Sequence, residues 1–164
     1  MLTRDLLAVA NLVQQIVVAA GPWRYRANII FVLDESSSIG SSINYQLLKT
    51  FLGYLVGRFD YDGGNTRVGL LTYSTNVGTY VNPMQSTLGS LRSVISALGS
   101  LGYKGGRTNT AAALTYVRRN ILDQGAGYRD YVPTVVVLIT GGPSYDLPAT
   151  RVSAQQILFY ELKE

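Results

Sequence analysis

The 164-residue chain contains no cysteine and no histidine. Without cysteine it can form no disulfide framework, and without either residue it can form no zinc site of the Cys/His kind. The lack of histidine also removes the residue that most often serves as a general base in enzymes. No apolar stretch is long enough and clean enough to cross a bilayer, which takes about 20 residues, so we predict no membrane span.

Charge is also sparse, because charged residues make up 15 % of the chain and the formal net charge is +4. The basic residues form no run, and their closest groupings are Arg24 with Arg26 and Arg118 with Arg119. A nucleic-acid-binding surface needs a denser basic stripe with stacking aromatic residues. We therefore predict no nucleic-acid partner and interpret these residues as part of a solvated surface. The hydrophobic fraction of 47 % and the length are typical of one globular domain.

The first 22 residues form a separate segment. Apolar residues recur at helical spacing over residues 2–17, which predicts an amphipathic helix over residues 1–22. A secretory signal peptide is the alternative, because a basic residue and an apolar middle precede Ala19-Ala20-Gly21, which resembles a cleavage site. Polar residues such as Asn11 and Gln14 interrupt that apolar middle and favour the helix.

Strands and helices are predicted to alternate along the rest of the chain. Apolar runs predict four strands, over residues 28–33, 67–73, 77–81 and 132–140. Helical spacing predicts helices over residues 42–59, 88–101, 110–122 and 148–162. Buried parallel strands joined by helical crossovers imply an α/β fold, with a doubly wound, mostly parallel sheet and helices on both faces. Ligands bind outside the carboxyl ends of the strands in such folds, so the residues after Leu33 and Thr140 are the place to look.

An Asp-x-Ser-x-Ser pattern follows the first predicted strand directly, formed by Asp34, Ser36 and Ser38. The alternating spacing can turn all three side chains toward one point. A carboxylate and two hydroxyls are hard oxygen ligands that suit Mg²⁺ or Mn²⁺. A single carboxylate leaves such a cation under-neutralised, so that an acidic group of a partner could complete its coordination. The alternative is that these are turn residues and that Ser41 or Ser42 caps the following helix without any metal.

A second constellation, residues 105–110, also precedes a predicted helix. Thr108 could be a further metal ligand, while Asn109 or Thr110 could cap the helix. Tyr45 and Tyr145 are expected to flank the same region, where they would supply contact area for a partner or pack in the ordinary way.

Four segments in order carry a family resemblance: FVLDESSSIG, RVGLLTYST, GGRTNTAAALTYVRRNIL and PTVVVLITGGPSYD. Together they resemble the A domains of von Willebrand factor, matrilins and collagen VI, and integrin I domains, over roughly residues 27 to 160. The likeness is greatest to matrilins and collagen VI. The resemblance implies a Rossmann-like von Willebrand A fold and a secreted, extracellular, non-catalytic module that binds matrix proteins such as collagen.

The resemblance also implies a metal-ion-dependent adhesion site. Asp34, Ser36, Ser38 and Thr108 match four of its five positions. The family has an aspartate where this chain has Gly141, and Asp146 lies five residues further on, too far to replace it directly. Binding of Mg²⁺ or Mn²⁺ is therefore expected to be weak, and Gly141→Asp is expected to tighten it.

Family domains continue with further strands, so residues 27–164 are expected to form a partial domain that lacks the last strands. The fourth strand would then lie at a sheet edge. Family domains also end in an amphipathic helix and often occur in tandem. Residues 1–22 can accordingly be the closing helix of a preceding domain. This is a third interpretation, beside a separate amphipathic helix and a secretory signal peptide.

Two other functions remain open on the sequence. One is an intracellular scaffold with the same fold. The other is a phosphatase-like enzyme on a similar sheet, although Ser36 stands where dehalogenase-like phosphatases need a second aspartate. The chain also contains no GxxxxGK[ST] phosphate loop and no GxSxG elbow.

Overall fold

The computed structural model describes residues 26–61, 64–81, 90–122, 129 and 132–161, with the backbone alone for residues 159–161. The helix predicted over residues 1–22 lies outside the described residues. None of the described helices is long and apolar enough to cross a membrane.

A four-stranded sheet forms the centre of the fold. Its strands are β1 (Ala27–Asp34), β2 (Thr66–Tyr73), β3 (Val77–Val81) and β4 (Thr134–Ile139), in the spatial order β3-β2-β1-β4. Strand β1 pairs in parallel with both β2 and β4, whereas β3 runs antiparallel to β2. All eight residues of β1 are buried because the strand has a neighbour on each side and helices over both faces.

Helices follow the strands in the predicted order. They are α1 (Ser42–Val56), α2 (Leu91–Ser100), α3 (Thr110–Tyr116) and α4 (Leu147–Glu161). Capping explains where two of them begin, since Ser41 Oγ accepts the Asn44 amide at 3.1 Å and Asn109 Oδ1 accepts the Ala112 amide at 3.2 Å. The helix predicted over residues 110–122 is α-helical only in its first half and continues as a π-helix over Val117–Leu122.

Two apolar layers cover the two faces of the sheet. Alternate residues of β1 point to opposite faces, so Ile29, Phe31 and Leu33 pack in the layer of α1 and α2. Ile30 and Val32 pack in the layer of α3 and α4. This arrangement confirms the predicted doubly wound α/β fold.

Strand β4 lies at the end of the sheet, as predicted, and pairs only with β1 among the described strands. Its apolar side chains are correspondingly less covered than those of β1, and Val135 and Leu138 are each 38 % exposed.

Arg129 holds the amino end of the sheet together. Its guanidinium donates to Asn28 Oδ1 at 2.9 Å, to the Ala27 carbonyl at 2.6 Å and to the Asn65 carbonyl at 3.2 Å. It also donates to the carbonyl of Gly64. Burial, together with the charges of Arg67 and Arg26, lowers the pKa of Arg129.

Candidate functional site

Three loops meet at the carboxyl edge of the sheet, where the doubly wound fold predicts a ligand site. Loop A (residues 35–41) follows β1, loop B (residues 101–109) precedes α3, and loop C (residues 140–146) follows β4. Loops A and C converge because they follow the neighbouring parallel strands β1 and β4, and loop B reaches them from the end of α2.

Asp34 lies at the centre of this region and is fully buried. Its Oδ1 accepts the amide of Ser36 at 2.8 Å. Its Oδ2 accepts the hydroxyls of Ser38 at 2.6 Å and Thr140 at 2.9 Å, and the amide of Gly141 at 3.2 Å. Four donors from loops A and C thus stabilise the carboxylate in place of water. Sequence reasoning did not identify Thr140 as a contact, although its position at the carboxyl end of the last predicted strand was a signal.

Three hydroxyls form a chain beside this carboxylate. Ser36 Oγ lies 2.8 Å from Ser38 Oγ and 2.8 Å from Thr108 Oγ1. Ser36 and Thr108 are buried, and Ser38 is half-buried. The four side chains predicted as ligands are therefore brought together, although 74 positions separate the first from the last along the chain.

Loops A and B are held together along their backbones. The Gly105 amide donates to the Glu35 carbonyl at 2.8 Å, and the Ser37 amide donates to the Gly106 carbonyl at 2.9 Å. Ser37 Oγ accepts the Gly106 amide at 3.0 Å. Gly105 and Gly106 have φ angles of 72° and 90°, in the left-handed region that favours glycine. The two glycines therefore allow the turn that brings Thr108 to Ser36.

An ion pair between a buried carboxylate and a half-exposed lysine links the same two loops. Glu35 is 1 % exposed, and its Oε1 lies 2.9 Å from the Nζ of Lys104 in loop B. Strand β3 passes close to this pair, and a Cβ on Gly78 would lie 2.6 Å from Glu35 Oε1 and 2.4 Å from Thr72 Oγ1. Sequence reasoning missed the pair because nothing local links Glu35 to a lysine far along the chain.

Gly141 leaves no room for the side chain that the resemblance implies at its position. A Cβ there would lie 2.6 Å from the Ser38 carbonyl oxygen and 3.0 Å from Ile39 Cδ1. The expectation that Gly141→Asp tightens metal binding is therefore incomplete, because the substitution also requires loop A to move. Asp146 does not replace the missing carboxylate either, since its Oδ1 accepts the Ala149 amide at 2.9 Å and caps α4.

The two tyrosines expected beside the site have different environments. The interface role suggested for Tyr45 is wrong, because its side chain is 1 % exposed and packs in the core beneath loop A. Burial, reinforced by the charges of Glu35 and Asp34, raises the pKa of Tyr45. Tyr145 is 58 % exposed in loop C, and its amide donates to the Thr108 carbonyl at 3.1 Å.

The fold and the convergence of these side chains agree with a family comparison. Residues 28–160 match the von Willebrand factor type A domain. The chain belongs to this family. The resemblance predicted from the four sequence segments is therefore confirmed.

The relatives of this von Willebrand A domain include matrix proteins. The mouse collagen alpha-4(VI) chain is 39 % identical over 122 residues, which cover 73 % of this chain and 5 % of the collagen. The human collagen alpha-1(XX) chain is 37 % identical over 120 residues, which cover 73 % of this chain and 9 % of the collagen. Rat von Willebrand factor is 30 % identical over 73 % of this chain and 27 % of that protein. The chain thus spans only a small part of each relative.

Solved structures of proximal thread matrix protein 1 from the mussel byssus share the fold. One of its crystal forms has a TM-score of 0.73 and 25 % identity, over 82 % of this chain and 36 % of the mussel protein. Another, described as having a zinc-occupied MIDAS motif (a metal-ion-dependent adhesion site), has a TM-score of 0.72 and 26 % identity over the same shares of the two chains.

The four predicted metal ligands in this von Willebrand A domain, Asp34, Ser36, Ser38 and Thr108, fit a hard divalent cation in two respects. All their ligating atoms are carboxylate or hydroxyl oxygens. An octahedral site with metal–oxygen distances of about 2.1 Å places neighbouring ligands roughly 3 Å apart, close to the 2.8 Å between Ser36 Oγ and each of its two hydroxyl neighbours. The fit is incomplete in charge, because no group of three or more acidic side chains that could hold a metal occurs among the described residues.

Proposed function

We propose that the chain is a non-catalytic protein-binding module of an extracellular matrix or adhesion protein. In this proposal Asp34, Ser36, Ser38 and Thr108 bind Mg²⁺ or Mn²⁺, and the cation assists binding of the protein partner. The observation that carries the proposal is that one buried carboxylate and a chain of three hydroxyls meet at the carboxyl edge of the sheet, which makes a cluster of hard oxygen ligands.

The chemistry of the site supports binding rather than catalysis. The chain has no histidine and no cysteine. Asp34, the carboxylate at the centre of the site, already accepts four hydrogen bonds from loops A and C. The Ser38 hydroxyl therefore shares this carboxylate with three other donors, whereas an activated serine is paired with a base that is free to take its proton.

The cation in this proposal adds to a site that is already held together by hydrogen bonds. Only Asp34 contributes negative charge, so the bound cation keeps an excess of positive charge and an incomplete set of protein ligands. Because its positive charge is not fully neutralised, the cation binds weakly. The same excess charge and the incomplete set of protein ligands attract an acidic side chain from a partner.

The relatives support an extracellular location and a matrix partner. Two of them are collagen chains, one is von Willebrand factor, and one is a matrix protein of mussel threads. We propose that this domain is secreted and that it binds a matrix component such as a collagen. Tandem von Willebrand A domains are a further proposed partner, since residues 1–22 have the pattern of a closing helix.

Removal of one hydroxyl tests the role of the cation. Thr108→Val keeps the shape of the side chain and deletes a proposed ligand, so binding to immobilised collagen in Mg²⁺ should fall toward the level measured in chelator. Thr115→Val is the matched control, because the Thr115 hydroxyl contacts Ser153 at 3.1 Å between α3 and α4, away from the site. Calorimetry with Mg²⁺ alone should show a weak interaction that Thr108→Val reduces and Thr115→Val preserves.

Two results would contradict parts of this proposal. Collagen binding that is equal in Mg²⁺, in chelator and in Thr108→Val would remove the cation from the function. A hydrolase activity that copurifies with the chain and disappears in Asp34→Ala would contradict the non-catalytic role.

A further inference from the structure

Arg107 and Tyr145 form an exposed pair directly above Thr108. The guanidinium carbon of Arg107 lies 5.9 Å from the centre of the Tyr145 ring, within the range of a cation–π contact. Both side chains are exposed, and Tyr145 retains 58 % of its accessible surface. The pair joins loop B to loop C at the rim of the proposed cation site.

The backbone fixes both members of the pair. The Arg107 amide donates to Thr75 Oγ1 at 3.0 Å, immediately after the turn that Gly105 and Gly106 make. The Tyr145 amide donates to the Thr108 carbonyl at 3.1 Å. The backbone of both residues is therefore set before any partner arrives, which lowers part of the ordering cost of a contact made there.

Two acidic residues of the site region are engaged elsewhere. Glu35 is paired with Lys104, and Asp146, next to Tyr145, caps α4. Arg107 has no carboxylate within 4.0 Å among the described residues. Its positive charge is thus available to a group from outside the chain.

The chemistry of a guanidinium indicates what that group is. A cation–π contact with a ring uses none of the five N–H donors of the guanidinium as hydrogen-bond donors, so they remain available to a ligand. Two parallel N–H donors match the two oxygens of a carboxylate. Arginine and tyrosine are also the residue types that most often contribute strongly to protein interfaces.

We propose that Arg107, in cation–π contact with Tyr145, is a second carboxylate-binding position that takes an acidic side chain of the protein partner without help from the metal. This inference rests on the proposed function in that the partner is a protein. It goes beyond that function because the cation and Arg107 are separate contacts. The surface would then recognise a partner segment with two acidic groups, one at the cation and one at Arg107.

Nuclear magnetic resonance in chelator tests this position without the cation. The probe is the peptide acetyl-Gly-Glu-Gly-amide, and the matched probe is acetyl-Gly-Gln-Gly-amide, titrated into the ¹⁵N-labelled full chain. We expect the Glu peptide to shift the Nε–Hε signal of Arg107 in a saturable way and the Gln peptide to leave it unchanged.

Variants distinguish a specific contact at Arg107 and Tyr145 from a general attraction by positive charge. Arg107→Lys keeps the charge but loses the paired donors, so affinity for the Glu peptide should fall roughly two- to fivefold. Tyr145→Ala should weaken binding by a similar factor, whereas Tyr145→Phe keeps an aromatic face and should retain it. Arg119→Ala removes an equal charge at an exposed position of the π-helix and should have no effect.

The outcomes distinguish this inference from the proposed function. An Arg107 signal that does not respond to the Glu peptide, or that responds equally to the Gln peptide, overturns the inference even if collagen binding depends on Mg²⁺. An equal loss in Arg119→Ala would also overturn it, because the attraction would then be diffuse. A saturable response in chelator supports it even if Thr108→Val leaves collagen binding unchanged.

Discussion

The two ends of β1 carry buried polar networks that are built in opposite ways. At the amino end, the Arg129 side chain donates to fixed acceptors, namely Asn28 Oδ1 and three backbone carbonyls. At the carboxyl end, the acceptor Asp34 is surrounded by donors, and two of these are hydroxyls on loops A and C.

This difference separates a structural network from one that can bind a ligand. The Arg129 network uses backbone carbonyls at the start of β1 and just before β2, so it stabilises the sheet. The Asp34 network ends in hydroxyl groups, which rotate and which can donate to the carboxylate while a lone pair faces a cation. We therefore expect changes at the amino end to affect stability alone, and changes at the carboxyl end to affect stability and metal binding together.

The largest effect is expected from Arg129→Ala. The substitution leaves Asn28 Oδ1 and the Ala27 carbonyl, both buried, without their donor. The free energy of unfolding should fall by about 2–4 kcal/mol, as measured by denaturant titration, while Mg²⁺ binding of the folded protein stays the same. Arg119→Ala, at an exposed position, should cost less than about 0.5 kcal/mol. An equal loss in the two variants would refute the role assigned to Arg129.

Gly141→Ala is expected to have a smaller effect, but on both stability and metal binding. The added Cβ meets the Ser38 carbonyl at 2.6 Å, so loop A or loop C must shift, at a cost of about 1–3 kcal/mol. The same shift should change Mg²⁺ affinity, because Ser38 and the Gly141 amide both contact Asp34. Gly99→Ala is the matched control, since its Cβ would meet nothing within 4 Å. Thermal unfolding and calorimetry measure the two effects, and a Gly141→Ala variant as stable as Gly99→Ala would exclude the predicted clash.

The smallest effect, a gain, is expected from Tyr45→Phe beneath the carboxyl end. The Tyr45 hydroxyl is buried and has no hydrogen-bond partner among the described residues, so its removal should stabilise the fold by about 1 kcal/mol at neutral pH. The raised pKa of Tyr45 means that the folded state favours the neutral phenol. The associated stability is present below the ordinary value of 10.0 and is lost as the pH rises above it.

The advantage of Tyr45→Phe should therefore grow above pH 10, as followed by denaturant titration at several pH values. Burial also raises the pKa of Tyr80, to about 12, so the variant should retain part of the alkaline loss. Tyr54→Phe is the control, because Tyr54 is 76 % exposed. A loss of stability in Tyr45→Phe at neutral pH would show that the hydroxyl has a partner.

Most of the fold could be predicted from local patterns. The strand predicted over residues 77–81 agrees with β3, and the helix predicted over residues 148–162 agrees with α4 to within one residue at each end. The helix predicted over residues 110–122 failed in its second half, because hydrophobic spacing does not distinguish an α-helix from a π-helix over two turns.

The sequence predicted which residues form the site, but it predicted only some of the residues that surround them. Asp34, Ser36 and Ser38 are close in sequence, and Thr108 precedes a helix that begins at the same edge of the sheet. The lysine that pairs with Glu35 lies 69 positions further along the chain, and the contact depends on how loop B folds over β3. Tyr45 was misplaced because its helical position alone does not show which face packs on the sheet.

The sequence by itself determined the order of elements and the hard-oxygen character of the site, since these follow from periodicity and from side-chain chemistry, and its four ordered segments carried the family resemblance. Only the tertiary structure decided which atoms meet. It filled the space beside Gly141 with the Ser38 backbone, gave Asp34 four donors and placed the Arg107 guanidinium within cation–π range of Tyr145. These contacts join loops far apart in the chain, and their geometry depends on the packing of the whole sheet edge.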